Sequence, residues 1–70
     1  MSLFKKKKNI PALHILLDHE KQRALHPYFY YPLFDSDISV AQNWCAKNKY
    51  FMTIDHVRDG NIFYKFYPNT

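Results

Sequence analysis

Residues 50–67 read YFMTIDHVRDGNIFYKFY, and this stretch decides the fold. Two runs rich in aromatic and β-branched residues, Tyr50 to Arg58 and Ile62 to Tyr67, flank Asp59-Gly60-Asn61. Such side chains suit a pleated, half-buried surface. Gly60, the only glycine of the chain, stands where a hairpin tip needs positive φ. Loop length sets the pairing register, and the register sets the core. A two-residue Asp59-Gly60 turn in a regular ladder places Asp55 opposite Tyr64. A three-residue Asp59-Gly60-Asn61 loop instead puts Met52 and Ile54 on the face of Ile62, Tyr64 and Phe66, and sets Asp55 against Lys65 as a cross-strand ion pair. The longer loop separates apolar from charged groups better and is the expected one. Pro68 ends the second strand.

Working outward, residues 38–48 read ISVAQNWCAKN. Asp35, Ser36 and Asp37 are candidate N-caps, and Ser39 with Gln42 has capping-box spacing. On a helix, Ile38, Ala41, Trp44 and Cys45 fall in one apolar stripe, opposite Ser39, Gln42, Asn43 and Lys47. Lys47 and Lys49 suit the negative helix end, and Asn48 can adopt the left-handed stop. The pattern predicts a helix over about 37–48.

The N-terminal half has two readings. Leu13, Ile15 and Leu17 alternate with His14, Leu16 and Asp18, as along a half-buried strand. Leu25 to Phe34 is aromatic and strand-like, with Pro27 and Pro32 confining it to an edge or a bulge. The alternative is a helix at about 11–26, started by Pro11 and stopped by Pro27. On that wheel Glu20 enters the apolar arc and Leu25 drifts off it, which favours the strands. The expected class is therefore α+β, a single domain of ββαββ order with one helix on a mostly antiparallel sheet; the alternative order is αβαββ.

With 70 residues and one cysteine, Cys45, the chain has no intramolecular disulfide to staple it. Thirteen aromatics (six Phe, six Tyr and Trp44) supply the core instead. No apolar run approaches the ~20 residues of a membrane span. Met1 to Leu17 lacks a small-residue cleavage motif and is not expected to be a secretory leader. The lone thiol points to the cytoplasm. The net charge of +4 resides in Lys5, Lys6, Lys7 and Lys8. Across residues 9–70, six Lys/Arg balance six Asp/Glu, so the chain divides into a basic tail, 1–8, and a formally neutral domain, 9–70. A neutral domain argues against binding dominated by phosphate contacts.

Candidate chemistry is sparse. His14, His19 and His26 lack ligand spacing, and Cys45 falls on the buried side of the helix, so no metal or cofactor is expected. Asp55 and His56 alternate on a strand and point to opposite faces, which denies them a dyad. With no nucleophile motif or phosphate-cradling glycine loop, an enzyme is not expected. The aromatic excess is more informative. One helix covers one face of a sheet, leaving rings on the other as a protein-binding patch or a stacking platform for single-stranded bases. The candidate binding residues are Tyr28, Tyr30, Arg58, Phe63, Lys65 and Tyr67, with Lys5 to Lys8 as an electrostatic aid.

The succession of a strand pair, the helix ISVAQNWCAKN and the hairpin YFMTIDHVRDGNIFYKFYP resembles the layout of small phage-encoded inhibitors, among them some anti-CRISPR proteins and some phage inhibitors of host polymerase. The likeness covers residues 12–67 and lies in layout, so it transfers no functional residue. The segment HVRDGNIFYKFY also resembles the wing of winged-helix repressors, which have two helices before the wing. The resulting expectation is a non-enzymatic binding protein, encoded by a phage or other mobile element, that blocks a larger protein or nucleoprotein machine through an aromatic sheet surface. The alternative is a small nucleic-acid-binding accessory or regulatory protein. A second copy of the chain is a further possible partner, and a membrane is not.

Overall fold

A computed structural model describes residues 12–69, leaving the lysine run outside the described part of the chain. The class is α+β, as expected, with two helices on one face of a three-stranded antiparallel sheet. In chain order the elements are α1 (Leu13–Arg23), β1 (Phe29–Pro32), a 3-10 turn (Asp35–Asp37), α2 (Ile38–Asn48), β2 (Tyr50–Arg58) and β3 (Asn61–Pro68). The sheet order is β1-β3-β2, so the last strand is the central one.

The N-terminal element is the helix of the alternative reading, not a strand, and the sheet has three strands where ββαββ has four. The apparent alternation of period two dissolves on burial: Leu17 is fully buried while Ile15 is 41% exposed. The two features that spoke against the helix have local solutions. Glu20 lies at the margin of the buried stripe, 3.5 Å from Arg23 one turn on. Leu25 lies beyond the helix end and is 95% exposed. Lys21 and Arg23 occupy the last turn, where cations suit the helix dipole. Ala24 then leaves in extended backbone, with Pro27 shortly after.

β1 is shorter than the Leu25–Phe34 run. It is an edge strand ending at Pro32, a position that requires no ladder N–H. Asp37 closes the turn into α2: its Oδ2 accepts from the Phe34 N–H at 3.0 Å, and its own N–H donates to the Phe34 carbonyl at 2.8 Å. α2 matches the expected span, but the left-handed stop falls on Lys49 (φ 59°), not Asn48. Asn48 remains helical and its side-chain amide donates to the Trp44 carbonyl at 2.9 Å.

The hairpin combines parts of both register readings. Its turn is the two-residue one, with Asp59 at φ 52° and Gly60 at φ 79°, the pair of left-handed residues that a twisted hairpin favours. Arg58 faces Asn61, Val57 faces Ile62 and His56 faces Phe63. A β-bulge at Asp55 then shifts the phase by one residue, so that Ile54 faces Tyr64 and Met52 faces Phe66. Thr53, not Asp55, stands opposite Lys65. The apolar segregation that suggested a longer loop is achieved by the bulge.

The core forms where α1 and α2 meet this sheet. It comprises Leu17, Phe29, Leu33, Ala41, Trp44, Cys45 and Phe66. Phe29 and Phe66 stack at 4.9 Å across β1 and β3, and Trp44 meets both edge-on. The indole N–H of Trp44 donates to Asp18 Oδ1 at 2.8 Å, joining α2 to α1.

Candidate functional site

Alternation along the strands sorts every side chain to the helix-covered face or the open one. On β3, Phe66 and Tyr64 pack inward, which sends Asn61, Phe63, Lys65 and Tyr67 outward. Their ladder partners follow: Tyr30 and Thr53 flank Lys65, Phe51 flanks Tyr67, and His56 flanks Phe63. Arg58, opposite Asn61, is on this face as well. Tyr28, one residue before β1, completes it with its ring against Tyr30. The six candidate residues of the domain thus share one surface, although they come from three strands. Lys5 to Lys8 fall outside the described residues.

The rings on this surface touch one another. His26 stacks on Tyr28 at 5.3 Å, and Tyr28 meets Tyr30 edge-on at 5.9 Å. Tyr30 leans over the central strand to His56 at 6.1 Å, and His56 stacks on Phe63 at 4.9 Å. Phe51 and Tyr67 form a second pair at 5.6 Å. The Lys65 ammonium lies 4.6 Å from the centre of the Tyr28 ring, a cation–π distance. Tyr30 is 41% and Phe51 49% exposed, so the cluster retains open ring faces.

His26, Phe51 and His56 belong to this surface and are absent from the sequence-derived set. For His56 the reason is the turn, which at two residues sets it opposite Phe63, where the expected longer loop sets it opposite Tyr64 on the covered face. Regular alternation separates Asp55 from His56, yet the extra residue of the bulge turns both side chains together: the His56 Nδ1–H donates to Asp55 Oδ2 at 2.6 Å. The expectation that the two cannot meet is therefore corrected. The carboxylate fixes the imidazole plane against Phe63 and leaves Nε2 as the ring's remaining polar atom.

On the helix side four acids stand with four cations, Lys21, Arg23, Lys47 and Lys49. Asp18 and Glu20 are on α1, and Asp35 and Asp37 in the turn before α2, all on the helix side. Their field is felt by Tyr31, whose hydroxyl pKa is raised by burial first and then by the charges of Glu20 and Asp37. Asp59 is at the hairpin tip and Asp55 is bonded to His56. The open face therefore presents Arg58 and Lys65 with a single carboxylate, already partnered.

Other features offer less. A cleft of about 450 Å³ between α1 and α2 is lined by His14, Asp18, Asn43, Trp44 and Lys47, but its carboxylate is committed to the indole. Cys45 is buried, and burial pushes its thiol pKa up to about 11, which keeps it protonated and unreactive near neutrality. Among the described residues there is no group of three or more potential metal ligands, and no helix long and apolar enough to cross a membrane. No protein-family description, curated protein or solved structure matches the chain.

Proposed function

We propose that the chain is a non-enzymatic binding protein that acts through the open face of its sheet, covering a site on a larger protein or nucleoprotein machine as an inhibitor or modulator. One observation carries this reading: rings from all three strands converge, with Lys65 among them, on the face that neither helix covers. Large, rigid side chains bury much area at small entropic cost, and exposed aromatic clusters mark interaction surfaces. Of the layout that resembles small phage-encoded inhibitors, the helix of residues 38–48 and the hairpin after it are present and the strand pair is not; that remaining part of the likeness is the ground for a blocking role and an origin in a mobile element. The test is recovery of partners from the native host, with and without nuclease, by wild type and by Tyr30→Ala/Tyr67→Ala shown to be folded by circular dichroism. Loss of a specific complex in the folded variant supports the reading; unchanged recovery removes it.

A second reading is favoured by the topology. The winged-helix resemblance asks for two helices before the wing, and α1 and α2 supply them ahead of the β2–β3 hairpin. The exposed row Ser39, Gln42, Asn43 and Lys47 on α2 would then face duplex DNA. Gln42→Ala/Asn43→Ala should abolish duplex binding on this reading and leave binding by the sheet intact on the first.

A further inference from the structure

We propose that the ligand of the open face is a single strand of nucleic acid, its bases stacked on Tyr30 and Phe51 and its phosphates met by Lys65 and Arg58. The inference rests on the open face being the working surface, and it names the occupant. Charge complementarity selects it. The four acids of the helix side are matched there by four cations; on the hairpin Asp59 is at the tip and Asp55 is bonded to His56, so neither carboxylate occupies the ground between Lys65 and the rings. What remains on the open face is Arg58, Lys65 and two histidines beside exposed rings. A polyanion whose every unit carries a flat π-face fits that pattern, because phosphate answers the cations and base answers the rings.

Geometry supports the same occupant. Phe63, Lys65 and Tyr67 alternate along the central strand, so a cation stands between two rings, each about 7 Å from it along the chain. The Lys65 ammonium sits over Tyr28, where it can reach a phosphate without burying its charge. Tyr30, the most open ring of β1, leans across the strand toward His56 and offers a base a place to stack. A second copy of the chain fits less well. Two identical faces meeting about a twofold axis through the central strand would bring Lys65 toward its own image. The cores of protein interfaces are also depleted in lysine. Few groups on the face can read base edges, Thr53 and Asn61 among them, so binding should be tolerant of sequence.

The test uses the full chain and fluorescently labelled oligo(dT) and oligo(U) strands of about 12 nucleotides, a length within the range of single-strand sites. Anisotropy is measured over a series of salt concentrations. Binding of the strands with little response to a fully paired duplex is expected. Tyr30→Ala should weaken binding about 10- to 100-fold, the loss of roughly one stacked base. Lys65→Gln should reduce the salt slope by about one. Val57→Ala, on the same hairpin but the opposite face, should change nothing. If Tyr30→Ala binds as tightly as wild type, the attraction is that of the lysine run and the inference is overturned. Preference for duplex, lost in Gln42→Ala/Asn43→Ala, overturns it in favour of α2. If no strand binds but Tyr30→Ala/Tyr67→Ala abolishes a nuclease-resistant complex, the inference is overturned while the open face stands as the working surface, with a protein as its occupant. If neither strand binding nor that complex depends on Tyr30, both readings fail.

Discussion

Trp44 and Asp18 offer the sharpest test of how the two helices are joined. Trp44 is 4% exposed and packs against Phe29, Tyr50 and Phe66, while its N–H donates to a carboxylate on the other helix at 2.8 Å. Truncating such a ring to alanine costs about 3–5 kcal/mol. A single core in a domain this small rarely supplies more than about that in total. Trp44→Ala is therefore expected to unfold at room temperature and cannot separate packing from the hydrogen bond. Trp44→Phe and Asp18→Ala can. A hydrogen bond to a charged group contributes about 1.5–3 kcal/mol, and partial exposure of Asp18 moves the expectation to the lower end. We expect a coupling of about 1–2 kcal/mol in the double-mutant cycle, measured by urea unfolding. Far-UV circular dichroism is the appropriate signal, since Trp44→Phe removes the only indole. Purely additive effects, within about 0.5 kcal/mol, would show that the helices are not joined through this bond.

Three backbone and titration effects follow from the same structure. Lys49 ends α2 in the left-handed conformation, which costs a side-chain-bearing residue about 1 kcal/mol, so Lys49→Gly should raise the melting temperature by a few degrees. A Cβ added at Gly60 would meet no atom within 4 Å, but φ is 79°, so Gly60→Val should destabilise by about 1 kcal/mol or more through strain alone; a neutral result in thermal unfolding would refute the turn. The folded-state pKa of Cys45 is raised from 9.0 to about 11, so the folded protein holds this proton more tightly than the unfolded chain. Its contribution to stability is full below about pH 9 and is lost as pH rises toward about 11, and the loss should be smaller in Cys45→Ala.

Much of this arrangement is written locally. The stripe of Ile38, Ala41, Trp44 and Cys45 specifies α2 because its period is unambiguous, and Gly60 marks the hairpin tip, although the expected loop is one residue longer than the Asp59-Gly60 turn that forms. α1 is harder to read because its short apolar stripe is interrupted by a charged residue at its margin, Glu20, whose relief through Arg23 is visible only in three dimensions. The bulge has no signature in Asp55 itself. It becomes legible only when the favoured turn and the favoured apolar pairing are required together, a conflict that one extra residue resolves. The open face was accessible to alternation for Tyr28, Tyr30, Phe51, Phe63 and Tyr67, but His56 needed the true phase of β2 near the turn.

The bulge also divides the hairpin into regions of unequal persistence. Nearer the core, Met52 and Tyr64 pack on the buried rings; beyond, Val57 is 66% exposed, and the tip is held chiefly by its own ladder. Segments with few buried contacts open independently of the whole, at a small fraction of the global unfolding free energy. Amide protons of residues 56–61 should thus exchange with solvent long before those of Phe66 or Trp44. Under the proposed reading Arg58 would meet a ligand from that outer part, and Tyr30 and Lys65 from the part beside the core. Contact would then begin near the tip and finish on the rings, which would make the rate of capture and the strength of holding adjustable by different residues.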